Sequence, residues 1–240
     1  MRRFALIVLA GAVLAAAPAA ADARGKVDVM VVGKSRVLVP AKPVPFKKRF
    51  VGIDGKRCAL GRATPLSALA GTGTSFRLID YGACSRKPRD AGSLYVRQIG
   101  PDRAKGRDGW VYKVGRRSGS GGAADPSGPF GTGRLLRPGQ QVLWFWCVKD
   151  TADVCQRTLE TSSTRTVAAG APLAVTVRGY DEAGKGVAVE GATVQVGAAT
   201  AVTGAGGVAT VTAPATAGSY AVQASKPGLV LAFPRTVAVG

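Results

Sequence analysis

Short runs of β-branched, aliphatic and aromatic residues, each stopped by glycine or proline, follow one another along most of the chain. Runs of this length and punctuation restrict the chain to a mostly-β fold. VDVMVVG (27–33) and SRVLVP (35–40) come first. SFRLIDYG (75–82), SLYVRQIG (93–100), GWVYKVG (109–115) and QVLWFW (141–146) follow. Further on, LAVTVRGY (173–180) alternates with Leu173, Val175 and Val177 on one face, and ATVQV (192–196) alternates through Val194 and Val196. GVATVTAP (207–214) is read through Val208 and Val211, and GSYAVQAS (218–225) through Tyr220, Val222 and Ala224. FPRTVAVG (233–240) is the last run. Turn residues at Asp181–Gly186, Gly204–Gly207 and Pro214–Gly218 separate these later runs, the spacing of an all-β sandwich.

One segment breaks the strand pattern. In ATPLSALAG (63–71), Thr64 suits a helix N-cap, Pro65 the first helical position and Gly71 the stop, with Leu66, Leu69 and Ala70 on one face. One helix among antiparallel strands makes the first part α+β.

Charge divides the chain more sharply than pattern does. The whole sequence carries 33 Lys+Arg against 14 Asp+Glu, a formal net charge of +19. Residues 22–167 hold 27 of the basic and 11 of the acidic residues, against four and three in residues 168–240. All four cysteines and all three tryptophans lie in the basic part. The polar join TSSTRTVAAGAP (161–172) marks the expected boundary. Residues 1–23 read as a signal peptide, 24–165 as a basic domain and 166–240 as a β-sandwich.

The leader assignment rests on Arg2 and Arg3, the apolar run Phe4–Ala17, and small residues ending at Ala21 or Ala23. The apolar run is too short to span a bilayer, so no transmembrane anchor is expected after cleavage. The abundance of Arg, Ala and Gly is the composition of a GC-rich bacterial genome. The expected location is therefore outside a bacterial cell or in its envelope. There, four cysteines imply two disulfides. Cys147 and Cys155 flank a short polar stretch that can turn back on itself, which favours Cys147–Cys155 and leaves Cys58–Cys84 among the three possible pairings.

The chain contains no histidine. That excludes a Ser-His-Asp triad, a Cys-His pair and a His-ligated metal or haem. No glycine motif opens a helix as a phosphate or dinucleotide loop requires. Asp80, Asp90, Asp102 and Asp108 form no recognisable acid–base pair. Neither catalysis nor a cofactor or metal is expected.

The ordered segments CALGRATPLSALAG, SLYVRQIG, GWVYKVG and LLRPGQQVLWFWC resemble the transcobalamin-like C-terminal domain, a bacterial family of unknown function. The resemblance covers Val27 to Glu160. It is carried by Gly109-Trp110-Val111-Tyr112 and by Pro138-Gly139-Gln140-Gln141-Val142. It implies a β-grasp-like, exported ligand-binding domain. In vertebrate cobalamin carriers a similar domain closes over the corrin. Here Arg116-Arg117 and the glycine-rich stretch Gly115–Gly133 replace the turn that faces the ligand in relatives, and cobalamin is not carried over, because most bacterial members of the family have no assigned ligand. Residues 189–228 resemble a bacterial Ig-like or carboxypeptidase-regulatory-like module, which implies a spacer or display role.

Trp110, Tyr112, Trp144, Trp146, Arg116 and Arg117 are the candidate ligand-binding residues. Trp110 with Tyr112, and Trp144 with Trp146, share strand faces. They are either core packing or an exposed stacking surface. Basic clusters at Lys47-Lys48-Arg49, Lys56-Arg57, Arg86-Lys87-Arg89, Arg103-Lys105-Arg107 and Arg116-Arg117 are either a solvated face or an attraction for polyanions. No nucleic-acid motif accompanies them, so specific nucleic-acid binding is not expected. The reading is a secreted, non-catalytic two-domain protein that binds an unknown ligand or recognises the cell envelope. Its alternatives are a structural or adhesion protein on anionic envelope polymers, and an extracellular hydrolase with an unrecognised site.

Overall fold

The computed structural model of the chain describes residues 25–231 and 233–240. The expected leader, residues 1–23, lies outside the described residues. The first unit begins with an antiparallel hairpin, β1 (Lys26–Val32) and β2 (Val37–Pro45). Pro40, Pro43 and Pro45 cannot donate to a ladder, and β2 accordingly lies at the sheet edge. A second hairpin joins β3 (Arg49–Ile53) to β4 (Lys56–Leu60) through Asp54-Gly55, both at positive φ (46° and 77°). This is the Asp-Gly signal of a two-residue hairpin turn.

Helix α1 (Pro65–Ala70) has the boundaries its sequence requires. The Thr64 side chain accepts a hydrogen bond from the Ser67 amide at 3.3 Å, and Gly71 ends the helix. Strands β5 (Phe76–Asp80), β6 (Leu94–Ile99) and β7 (Asp102–Arg103) form a small sheet beside it. Then come β8 (Gly109–Val114), β9 (Arg117–Ser118) and β10 (Gln141–Cys147). The main sheet runs β2-β1-β10-β8-β9, with β1 and β10 parallel at its centre and its other pairs antiparallel. That order, with a helix carried on one face, is a β-grasp arrangement.

One face of this sheet sets Val29, Val31, Trp144, Trp146, Trp110 and Tyr112 against Leu66 and Leu69 of α1. The Cys58–Cys84 and Cys147–Cys155 disulfides form as expected. The first ties β4 to the loop after β5. The second ties the end of β10 to the segment leaving it.

The second unit contains β11 (Thr158–Ser162), β12 (Thr166–Val167), β13 (Pro172–Tyr180), β14 (Gly186–Ala188), β15 (Thr193–Val196), β16 (Ala199–Val202), β17 (Val208–Thr212), β18 (Gly218–Ser225) and β19 (Arg235–Val239). One sheet centres on β13, which pairs with β11, β14 and β17; the other runs β12-β19-β18-β15-β16. They close over Leu173, Val175, Val177, Val194, Val222 and Val237, an all-β sandwich core of aliphatic residues.

Two details differ from the sequence reading. Strand β11 pairs with β13, and Leu159 joins the sandwich core, so the units meet near Arg157 rather than at residue 165. The composition shift follows surface charge, whereas strand pairing follows the buried Leu159. In β17, Ala209 and Val211 point inward and Val208 is exposed, because strand period places residues three apart on opposite faces.

The other face of the β-grasp sheet is covered by the second unit. Met30, Val32, Leu143 and Phe145 pack on Val230 and Phe233. Beside this seam Lys113 is buried, donating to Thr158 Oγ1 at 3.0 Å and to the Tyr180 and Asp181 carbonyls at 2.8 Å each. Arg116 grips Glu160 with two bonds of 2.7 and 2.8 Å, and Arg235 adds a third at 3.0 Å. These guanidiniums, Arg116 first, hold the Glu160 carboxyl below its ordinary range.

Candidate functional site

The aromatic residues singled out in the sequence are core. Trp110, Tyr112, Trp144 and Trp146 are 5, 7, 1 and 4 % exposed, which rules out the open stacking surface. Trp110 meets Trp146 edge-on at 5.7 Å and Tyr112 tilts onto Trp144 at 5.3 Å, favourable aromatic geometries. Their polar tips are satisfied. Trp110 Nε1 donates to the Asp102 carbonyl at 2.8 Å, Trp144 Nε1 to the Pro65 carbonyl at 3.3 Å, and the Tyr112 hydroxyl to the Gly121 carbonyl at 2.7 Å. Burial raises the Tyr112 pKa, so the phenol stays a donor.

The glycine-rich stretch is a fitted cover over these rings. A side chain at Gly119 would strike the Tyr112 ring, and one at Gly122 would strike the Gly92 carbonyl. The Ala123 carbonyl accepts from Leu66 and the Ala63 carbonyl from Leu136, which lashes the loop to α1 and its N-terminal approach. Between the loop and Trp110 lies a crevice of about 190 Å³. Ligand pockets occupy roughly 300–1,000 Å³, so this space is too small for one.

The candidate aspartates are also committed to structure. Asp80 accepts from the Gly82 and Cys84 amides, Asp90 from Ser85 Oγ, Asp102 from the Lys34 amide and Asp108 from the Lys149 amide. Among the described residues no group of three or more His, Cys, Asp or Glu is placed to hold a metal ion. No helix among them is long and apolar enough to cross a membrane.

A larger space, a cleft of about 670 Å³, lies where the two units meet. The β1–β2 turn (Gly33–Arg36), the end of β10 (Trp146–Asp150) and the segment Ser225–Leu231 after β18 line it. Its wall is apolar through Trp146, Val148, Leu229 and Leu231, and Val148 is 52 % exposed there. Its rim is cationic. Lys34 Nζ stands 4.2 Å over the Trp146 ring, and Arg36 lies two residues further along the same turn. The turn is held in place by Asp102, whose carboxylate takes the Lys34 amide at 3.0 Å and leaves no room for a side chain at Gly33.

The other rim cations are used internally. Lys149 pairs with Glu182 at 3.7 Å, and Lys226 donates to the Glu190 carbonyl at 2.6 Å. The lining carboxylate, Asp150, accepts from the Ala152 and Val154 amides at 2.9 Å each. Lys34 and Arg36 form no ion pair among the described residues. The cleft therefore offers an apolar wall beside two positive charges with no ion-pair partner among the described residues.

Of the candidate residues the cleft gathers only Trp146. Arg116 belongs to the junction, stacked 4.5 Å from Tyr180 and paired to Glu160, and Arg117 points to the far side of β9 over Phe130 at 4.9 Å. Lys34, Arg36 and Val148 escaped the sequence reading, because the turn acquires meaning only once Ser225–Leu231 folds across it. Fold and cleft together define a two-unit β protein, a β-grasp sheet backed by a sandwich, with a ligand-sized cationic cleft at the join. The chain matches no protein-family model and no curated protein sequence.

Proposed function

We propose that the chain is an exported, non-catalytic binding protein whose junction cleft takes an amphipathic anion. The observation that carries this reading is the pairing, in one cleft of about 670 Å³, of the Trp146–Val148–Leu229–Leu231 wall with the unpaired Lys34 and Arg36. The size falls within the range of small-molecule sites, and joins between domains are favoured places for them. An anionic head would meet Lys34 and Arg36, and an apolar body would cover Val148 and Leu229. The structural commitment of Asp80, Asp90, Asp102 and Asp108 supports a binding role over hydrolysis. The resemblance of residues 27–160 to an exported ligand-binding family points the same way, with the site moved from the rebuilt loop to the junction.

The test uses 8-anilinonaphthalene-1-sulfonate, which combines apolar rings with a fixed negative charge. The folded protein should bind one equivalent with enhanced dye fluorescence. Lys34→Ala/Arg36→Ala should weaken binding about ten-fold, the order of one lost charge-assisted contact. Leu229→Asp should abolish it while near-ultraviolet dichroism stays native. Unchanged dye affinity in both variants would remove the cleft from consideration.

A further inference from the structure

A second cationic hollow lies on the far side of β9, away from the junction cleft. Arg117 of β9 and Phe130, Thr132, Arg134, Arg137 and Gln140 of the β9–β10 loop line a groove of about 490 Å³. No carboxylate lines it. None of its three arginines forms an ion pair among the described residues. Surface guanidiniums scattered at random make a solvated face. Here three converge on one concavity, and the backbone that carries them is fixed.

The fixing is visible bond by bond. The Ser120 and Gly121 amides both donate to the Pro129 carbonyl at 3.0 and 3.1 Å, and the Gly133 amide donates to the Ser127 carbonyl at 2.8 Å. The Arg137 amide donates to Gln140 Oε1 at 2.8 Å, closing the turn that carries it. Gly128, at φ 83°, lies flat against the Arg134 carbonyl where any side chain would collide. Arg117 is held over the Phe130 ring. The backbone positions of Arg134 and Arg137 and the side chain of Arg117 are thus set before a ligand arrives, which lowers the entropy lost on binding.

The chemistry of the groove selects its anion. Guanidinium forks match the paired oxygens of phosphate, and the lining contains no lysine. Three positive charges around one hollow favour a phosphate over a single carboxylate. The groove's aromatic ring is already covered by Arg117, so it offers no free face on which a nucleobase would stack. We infer that this groove binds the phosphate group of a phosphate ester, through Arg117, Arg134 and Arg137.

The experiment compares two double variants of equal charge by isothermal titration at low salt, with glycerol 3-phosphate and poly(glycerol phosphate) as probes. Arg134→Ala/Arg137→Ala alters exposed side chains of the groove. Arg77→Ala/Arg103→Ala removes the same charge from a separate hollow that includes Arg97 and Asp54. The first should weaken binding of the probes about ten-fold or more, and the second by no more than about two-fold. Tighter binding of the polymer than of the monomer would identify a polymer as the source of the phosphate, and equal binding a free ester; both agree with the groove. Equal losses in the two double variants, or no binding by the unaltered protein, would overturn the assignment. Matching thermal unfolding of both variants excludes a folding defect.

Discussion

Along β10 every residue from Val142 to Cys147 is buried, whereas along β13 burial alternates from Leu173 to Val177. The two strands sit in sheets with different obligations. β13 needs cover on one face, and the facing sheet of its own sandwich supplies it. β10 needs cover on both, as central strands of mixed sheets do. Helix α1 and the glycine-rich loop supply one side, and Val230 and Phe233 of the other unit supply the other. The sandwich therefore completes its own core, while the β-grasp sheet is finished only by its neighbour. The same dependence explains the cleft, because the segment that caps Phe145 is the one that runs past Trp146 and faces Lys34.

Cutting the cover from each sheet in turn should have unequal effects on the two units. Phe145 is fully buried at the seam and Leu173 lies inside the sandwich at 2 % exposure. Phe145→Ala should destabilise by about 3–5 kcal/mol and Leu173→Ala by about 2–4 kcal/mol. All three tryptophans report on the first unit. In urea, Phe145→Ala should move the tryptophan transition to lower denaturant and separate it from the far-ultraviolet dichroism of the sandwich. Leu173→Ala should move both signals. A Phe145→Ala protein whose two signals still coincide, with a loss under about 1 kcal/mol, would show that the sheet stands without its neighbour.

What was legible in the sequence follows the same line. The sandwich strands, the Thr64–Gly71 helix and the Trp144/Phe145 division of faces could be read because each depends on local period or capping. The fate of the tryptophans could not, since a strand apolar on both faces reads alike whether a domain or a ligand covers it. The Asp54-Gly55 hairpin carried a local signal that the reading passed over. Strand β11 carried a weaker one, because TLETS holds a single large apolar residue, Leu159. The cleft residues Lys34 and Arg36 look like any polar hairpin turn until the Ser225–Leu231 segment is in place.

The disulfides were legible from spacing, and both lie outside the sandwich. Cys58–Cys84 spans a separation of 26 residues and Cys147–Cys155 one of 8. In the chain-entropy account, removing the first by paired alanine substitution should cost about 3.5 kcal/mol and the second about 2.5 kcal/mol. Both losses should appear in the tryptophan signal ahead of the sandwich dichroism. A larger loss from the shorter loop would mean that Cys147–Cys155 acts by holding the seam, where both cysteines are buried, rather than by restricting the unfolded chain.

The smallest expected effect tests how the seam is joined. In GWVYKVG, Lys113 alternates with Tyr112 and reads as solvent-facing, yet the second unit covers it. Its ammonium meets three acceptors, Thr158 Oγ1 and the Tyr180 and Asp181 carbonyls, and burial pushes its pKa from 10.5 down to about 8. In the unfolded chain the amine holds its proton up to its ordinary pKa, while in the folded protein it releases it near 8. Between those values the unfolded state binds more protons, so this residue makes stability rise with pH from about 8 to 10.5. Lys113→Met removes that slope. It also leaves buried acceptors without a donor, a loss of about 1–3 kcal/mol at neutral pH, partly offset because no charge is then buried. The measurement is urea unfolding of both proteins from pH 7 to 10.5, read as the difference between them so that titrations common to both cancel. The unaltered protein should gain on the variant as pH rises above 8. A difference that stays flat would mean that the three acceptors hold the charged form as firmly as water does, making the seam an ionic joint rather than a desolvated one.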